Sequence, residues 1–474
     1  MKYDVVIGIE IHCELKTKTK MFSSSPSVFG EKPNTCVNEI DLAHPGTLPS
    51  VNKEAVLKAI QACSALHLDI DPVLRFDRKN YFYSDLPKGY QITQQFHPIG
   101  RNGYIEIDVD GNKRKIRINR IHLEEDTAKQ FHVDDETLID FNRAGTPLIE
   151  IVSECDMTSA QEACAYISSL KETLYYLGVS DVKMEEGSMR CDVNISLKPE
   201  GSSVLGVKNE IKNLNSISNV QKSIEYEIKR QSALLDNFEK ITQATARYDE
   251  ATNKTVIMRL KEGNVDYKFF PEPNILPIRL DAAWIKDIID NLPELPDAKR
   301  KRYKSEFSLN SKQIDILIDN KELGCFYELV MKSSKYPIIV WNWITSDVLA
   351  WCNKNNKAIE SLCDQTKNIA LIIDMVEQKE ISGKQAKEIF PEVLSGENPK
   401  DIVLKKGITQ VSDESLIMSY INEALDENPQ SIIDYKNGKD RAVGFLVGQV
   451  MKKSKGQANP ALSSELVLKE LKNR

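Results

Sequence analysis

Strict alternation constrains this chain more than any other feature of its sequence. In Val5-Val6-Ile7-Gly8-Ile9-Glu10-Ile11-His12-Cys13-Glu14-Leu15 the odd positions are apolar, and from Gly8 onward the even positions are small or polar. Side chains alternate faces along a strand, so the pattern predicts a strand with Glu10, His12 and Glu14 on one face. Met189-Arg190-Cys191-Asp192-Val193-Asn194-Ile195-Ser196-Leu197 alternates just as regularly and groups Arg190, Asp192, Asn194 and Ser196. Val207-Lys208-Asn209-Glu210-Ile211-Lys212 brings Lys208, Glu210 and Lys212 to one side, and a strand-like run from Ile116 ends in Glu124-Glu125-Asp126.

A Glu-x-His-x-Glu face can bind a hard divalent ion through carboxylates and imidazole. It can equally be the solvated outer face of an antiparallel sheet. If these strands were neighbours, their carboxylates would suit Mg²⁺ and the flanking Arg and Lys would suit phosphate oxygens, which together make a metal–nucleotide site.

The texture of the chain changes along its length. At roughly 150 residues per domain, 474 residues imply about three domains. Residues 1–292 mix alternating runs with turn clusters, and helical patterns are sparse, with exceptions near 53–67, 158–177 and 216–237, which reads as α+β. Pro271, Pro273, Pro277, Pro293 and Pro296 then mark a boundary. A helical domain follows over 293–406, with Pro337 placed to start a helix and Trp341 and Trp343 at core spacing. After a break at Gly396–Pro399, residues 407–474 read as a small tail domain of short helices.

Charge and cysteine usage narrow the function. Lys and Arg number 63 against 70 Asp and Glu, a net charge of −7, so any nucleic-acid contact must be local. One local excess exists: Lys436, Lys439, Arg441, Lys452, Lys453 and Lys455 are opposed only by Asp434 and Asp440. It could follow a phosphate backbone, or be a solvated helix face. The nine cysteines include no C-x-x-C pair, which fits reduced thiols of a cytoplasmic protein and supports no cysteine zinc site. No apolar run approaches the ~18 residues of a membrane helix, and the N-terminus reads directly as a strand rather than a secretory leader.

Common catalytic signatures are missing. The sequence has no Walker-type phosphate loop, no G-x-G-x-x-G after a strand, no G-x-S-x-G elbow and no H-E-x-x-H. It shows no nucleophile of its own. Two further segments can bind ligands. In Asp77–Gln91, Tyr81, Tyr83 and Tyr90 can stack on a base while Lys79 and Lys88 meet phosphate, or the segment is a packed aromatic turn. In Asn142-Arg143-Ala144-Gly145, Arg143 can grip a carboxylate or phosphate bidentately, or make a surface ion pair.

Several runs occur together in one order: Ile7-Gly8-Ile9-Glu10-Ile11-His12, Arg78-Lys79-Asn80-Tyr81-Phe82-Tyr83, Leu86-Pro87-Lys88-Gly89-Tyr90-Gln91, His122-Leu123-Glu124-Glu125-Asp126, Asn142-Arg143-Ala144-Gly145, Lys212-Asn213-Leu214-Asn215-Ser216 and Asp266-Tyr267-Lys268-Phe269-Phe270-Pro271-Glu272-Pro273. With Val447-Gly448-Gln449-Val450-Met451-Lys452 and Ala458-Asn459-Pro460, they span nearly the whole chain and resemble the B-subunit family of the aspartyl/glutamyl-tRNA(Asn/Gln) amidotransferases. The resemblance implies a glutamine-synthetase-like catalytic domain with an antiparallel sheet, followed by the two helical domains. It implies use of ATP and Mg²⁺ to form an acyl phosphate on the side-chain carboxylate of Glu-tRNA(Gln) or Asp-tRNA(Asn). Ammonia from an amidase subunit would then displace the phosphate, and a small third subunit would brace the pair.

The resemblance also implies roles. Glu10, His12 and Glu125 would be catalytic; these three with Glu150, Asp192 and Glu210 would be the metal-site residues. Lys79, Arg143, Arg190 and Lys208 would meet phosphate, and Tyr81, Tyr83, Lys88, Gly89, Tyr90 and Gln91 would contact nucleotide or the aminoacyl end. Lys439, Arg441, Lys452, Lys453 and Lys455 would contact tRNA. Many relatives carry C-x-x-C just before the Pro-Gly that matches Pro45-Gly46, where this chain has Asn38-Glu39-Ile40-Asp41, so no zinc is expected. A stand-alone ATP-dependent ligase and a non-catalytic tRNA scaffold are the alternatives.

Overall fold

The computed structural model describes residues 2–473 apart from 261–265, 409–413, 437, 438, 440, 455 and 456. It divides into two compact units, Met1–Pro296 and Asp297–Arg474. In chain order the strands of the first unit are β1 (Tyr3–Glu14), β2 (Asp69–Ile70), β3 (Val73–Leu74), β4 (Asp77–Asn80), β5 (Tyr90–Thr93), β6 (Gly100–Val109), β7 (Asn112–Glu125), β8 (Lys129–Val133), β9 (Glu136–Asp140), β10 (Pro147–Ser153), β11 (Met189–Pro199), β12 (Asn209–Leu214), β13 (Ala244–Asp249), β14 (Lys254–Leu260), β15 (Phe270–Pro271) and β16 (Ile278–Arg279). Nine of them form one sheet, ordered β14-β13-β12-β11-β1-β10-β7-β6-β2.

The alternating runs are strands, and they are neighbours. β1 lies between β10 and β11, and β12 flanks β11. The sheet is antiparallel as expected except at one pair, β12 and β13, which run in parallel and make it mixed. Parallel neighbours need a crossover, and helix α3 (Ile217–Asp236) between them supplies it.

Helices cover the apolar face. α1 (Lys53–Ala65), α2 (Ala160–Tyr176) and α3 match the three helical patterns of the sequence. Each starts at a side-chain cap: Asn52, Ser159 and Ser216 accept hydrogen bonds from backbone N–H groups of the first turn. Their apolar residues join Ile7, Ile9, Ile11 and Cys13 of β1 in one buried cluster. Truncating any of these isoleucines to alanine is expected to cost about 2–5 kcal/mol. With one face covered, the polar side chains of the central strands are committed to the other face.

In the second unit every described regular element is helical, from Pro296–Phe307 to Pro460–Asn473. Pro337 opens the helix Pro337–Trp343, which runs through a π-turn, Ile344–Val348, into Leu349–Asn355. Trp343 is buried, and the indole N–H of half-buried Trp341 donates to the Gln313 carbonyl at 3.3 Å. The last helices have their own core, including Ile417, Ile421, Leu446, Val450 and Val467. Among the described residues no helix is long and apolar enough to cross a membrane.

Candidate active site

Strand register assembles the site. Residues directly opposite in a sheet share a face. Across β7, β10, β1 and β11 the register aligns His122, Glu150, His12 and Arg190 in one row. One step along, Glu10 faces Asp192; Asn194, on the same face of β11, pairs with Glu210 of β12.

A β-bulge decides which acidic residue joins this face. In β7 the buried apolar positions are Ile116 and Ile118, then Ile121 and Leu123. The register with β10 slips by one residue between these pairs, at Val152/Ser153. The slip turns Ile121 and Leu123 to the core and leaves His122 and Glu124 on the carboxylate face. Glu125, one residue further, takes the other direction: its carboxylate accepts from the Lys88 ammonium and, at 3.0 Å, from the Ile92 backbone N–H.

Two groups of ligating side chains result. In the first, ligand atoms of His12, Glu124 and Glu150 lie within 4.8 Å of one another. His12 Nε2 is 3.5 Å from both Glu124 Oε1 and Glu150 Oε2, and His122 Nε2 is 3.2 Å from Glu150 Oε2. Burial works against the His12 and His122 imidazoliums, but the Glu150 carboxylate, with that of Glu124, outweighs it; His12 is raised and His122 is pushed up to about 9. Burial likewise opposes ionisation of Glu150, yet the two imidazoles hold it well below the usual carboxylate range.

The second group is Glu10, Asp192 and Glu210, again within 4.8 Å. Its counter-charge is a fixed cation: Lys212 Nζ is 2.7 Å from Asp192 and 3.1 Å from Glu210. The Asn194 side-chain amide donates to Glu10 at 2.9 Å. Burial, then the charge of Glu150, raises Glu10, which links the two groups electrostatically. Both donor sets fit a hard divalent cation: their oxygens converge, and the first adds an imidazole.

Cations and aromatics border this face. Arg190 donates to Asp126 at 2.6 Å; Arg143 Nε is 3.6 Å from Asp126 and donates to the Thr127 carbonyl at 2.9 Å. Lys79 Nζ stands 5.7 Å from the Tyr81 ring and 5.2 Å from the Tyr267 ring, and Tyr83 packs edge-on to Tyr81. Tyr90 is taken by Arg78, 4.0 Å over its ring. Gly89 adopts φ +75°, and the Gln91 amide donates to the Glu125 carbonyl at 2.7 Å. Lys208 is exposed beside β12, where its charge offsets a part of the rise in Glu10. A small cavity lined by Asp85, Lys88, Glu125, Asp126 and Gly145 includes no member of either group.

The structure thus brings Glu10, His12, Glu150, Asp192 and Glu210 together and places Glu125 apart, with Lys88. Sequence reasoning passed over Glu124 and His122, although the alternation His122-Leu123-Glu124 repeats the logic that found His12. In the segment 38–41, Asp41 is 3.3 Å from the fully buried Lys20 ammonium and accepts from Ser23 Oγ at 2.7 Å. In the tail, Arg441 and Lys452 are exposed, whereas Lys439 pairs with Asp434 and Lys453 with Glu423 and Glu427. Lys455 lies outside the described residues.

The unit that carries this carboxylate-lined sheet face is matched over residues 5–286 by the family model described as GatB/GatE catalytic domain. A second model, described as GatB domain, matches 325–471. The chain is 49% identical to the B subunit of aspartyl/glutamyl-tRNA(Asn/Gln) amidotransferase from Staphylococcus carnosus and 50% identical to that from Geobacillus thermodenitrificans, each over 100% of both chains. The Bacillus thuringiensis protein of the same name is 48% identical, also over 100% of both. The chain belongs to this family of amidotransferase B subunits, which are ligases.

Proposed function

We propose that this chain activates the side-chain carboxylate of Glu-tRNA(Gln) or Asp-tRNA(Asn) by ATP-dependent formation of an acyl phosphate. The observation that carries this reading is the pair of ligating groups side by side on one sheet face, bordered by Arg and Lys. His12, Glu124 and Glu150 would hold Mg²⁺, and Glu10, Asp192 and Glu210 offer a second acidic position. Bound there, Mg²⁺ would offset charge on the phosphate oxygens.

The reaction needs little covalent help. A substrate carboxylate oxygen attacks the γ-phosphorus and ADP leaves; ammonia then attacks the acyl carbon, phosphate leaves and a proton is lost. Phosphoryl transfer of this kind depends on positioning and charge neutralisation, which this chain's residues can supply. Lys79, Arg143, Arg190 and Lys208 would meet phosphate oxygens. Tyr81 and Tyr83 would pack against the base or the aminoacyl end, with Lys88, Gly89, Tyr90 and Gln91 shaping the turn beside them. Glu125 acts from the Lys88 pair at the cavity edge rather than within either ligating group.

No glutamine-hydrolysing site is among these residues, so ammonia would come from an amidase partner, with a small third subunit in the assembly. The chain would use 1–292 for catalysis, 293–406 as a helical domain and 407–474 to meet tRNA. In the tail, Arg441 and Lys452 carry the phosphate contacts most directly, because the charge of Lys453 is already offset by two carboxylates.

Hydroxylamine tests the activation step. With ATP, Mg²⁺ and misacylated Glu-tRNA but no glutamine, the assembled enzyme is expected to yield the side-chain γ-hydroxamate, distinct from the α-hydroxamate that hydroxylamine forms directly from the aminoacyl ester, with one ADP per γ-hydroxamate. ADP release without γ-hydroxamate, or γ-hydroxamate without ATP, would overturn the reading.

A further inference from the structure

We propose that His122 is a positioning residue that holds Glu124 and Glu150 at the spacing an ion requires. The proposal rests on the reading of His12, Glu124 and Glu150 as the ion site. His122 is buried, and its Nε2 lies 3.2 Å from Glu150 Oε2 and 3.5 Å from Glu124 Oε2. Ionised carboxylates only accept hydrogen bonds, so this nitrogen carries the hydrogen and is shared between them. One imidazole thereby bridges two carboxylates that would otherwise repel. Glu124 Oε1 stays turned toward His12, at 3.5 Å, on the side where the three ligand atoms converge.

The other ring nitrogen strengthens the argument. His122 Nδ1 is buried and has no hydrogen-bond partner. An apolar side chain of similar size would fill the space without stranding a polar atom. Histidine is therefore unfavourable here except for what Nε2 does. Nor is His122 placed as a ligand. Its side chain is enclosed, 6% exposed, whereas the His12 side chain, near the same two carboxylates, is 25% exposed and can meet an ion arriving from solvent. Partners of this kind orient metal-bound carboxylates in many sites.

The test uses the full-length chain and Mn²⁺ as the probe, with binding followed by electron paramagnetic resonance. His122→Met removes the donor and keeps the bulk; His122→Gln returns an amide N–H near the Nε2 position. The methionine variant is expected to bind Mn²⁺ about 10–100-fold more weakly, and the glutamine variant to recover most of the loss. Electron spin-echo modulation should show one directly bound imidazole nitrogen, lost in His12→Ala and kept in His122→Gln. If the methionine variant does not fold, His122→Asn, whose shorter amide does not reach the carboxylates, takes its place. Binding within twofold of wild type in the donor-free variant would overturn the proposal. So would a second imidazole nitrogen that disappears in His122→Gln, which would make His122 a ligand. Unchanged Mn²⁺ binding in His12→Ala would remove the ion site itself, and the proposal with it.

Discussion

The two ligating groups of the sheet face contain similar carboxylates and differ in what balances them. Glu124 and Glu150 are balanced by imidazoles, of which His12 can itself bind a cation. Asp192 and Glu210 are balanced by Lys212, whose ammonium already occupies space between their oxygens. The difference teaches that an acidic cluster is not by itself an ion site: the counter-charge decides how much of it remains open. On the proposed reading the first group is the better cation site, and the second is a charge-balanced position whose access depends on where Lys212 goes.

The strongest way to break this contrast is Glu150→Gln. It removes the carboxylate between the two imidazoles, and tRNA-dependent ADP formation by the assembled enzyme is expected to fall by about 100-fold or more. A loss under about tenfold, with circular dichroism unchanged, would contradict the primacy of the first group.

Lys212→Met probes the second group. It leaves Asp192 and Glu210 without their cation, and denaturant unfolding should show a loss of roughly 1–3 kcal/mol, discounted because Lys212 is a third exposed. Millimolar Mg²⁺ should restore more stability to this variant than to wild type. Equal responses would mean that the second group does not take the ion even when vacated by lysine.

Glu14 sharpens the comparison through pH. It shares the face of Glu10 and His12, and burial, reinforced by Asp126, pushes it up to about 7. Near pH 4 both folded and unfolded states hold the proton, so Glu14→Gln should change little. Between its ordinary value and 7 the unfolded chain loses the proton first, which destabilises the fold as pH rises. At pH 8 the glutamine variant should therefore be more stable than wild type by roughly 1–2 kcal/mol, with the advantage absent near pH 4. Thermal unfolding at the two pH values checks the sign.

The smallest effect lies in the tail. Lys452→Glu should weaken tRNA binding several-fold and flatten its salt dependence, whereas Lys453→Gln should do less because Glu423 and Glu427 already offset that charge. Filter binding at two salt concentrations separates them.

Much of the architecture was legible in the sequence. Ile7, Ile9, Ile11 and Cys13 alternate with Gly8, Glu10, His12 and Glu14 because one face meets helices and the other does not, and β1 shows that division. The three helical patterns of the first unit and the proline that opens Pro337–Trp343 also read directly. What local pattern could not supply was pairing. The parallel β12–β13 contact follows from the crossover through α3, which alternation does not encode. That Glu124 rather than Glu125 joins the ligating group follows from a single-residue bulge near Arg120, whose only trace in the sequence is the change of phase from Ile116 and Ile118 to Ile121 and Leu123. The partners of Asp192, likewise, became visible only once β12 lay beside β11.

The most direct test of the central claim compares wild type with Glu10→Gln and His12→Ala in the assembled enzyme, with ATP, Mg²⁺ and misacylated Glu-tRNA. If the carboxylate face is the activation site, both variants lose tRNA-stimulated ADP formation while still binding tRNA and assembling with their partners. Undiminished turnover in both would contradict the account and make this face structural.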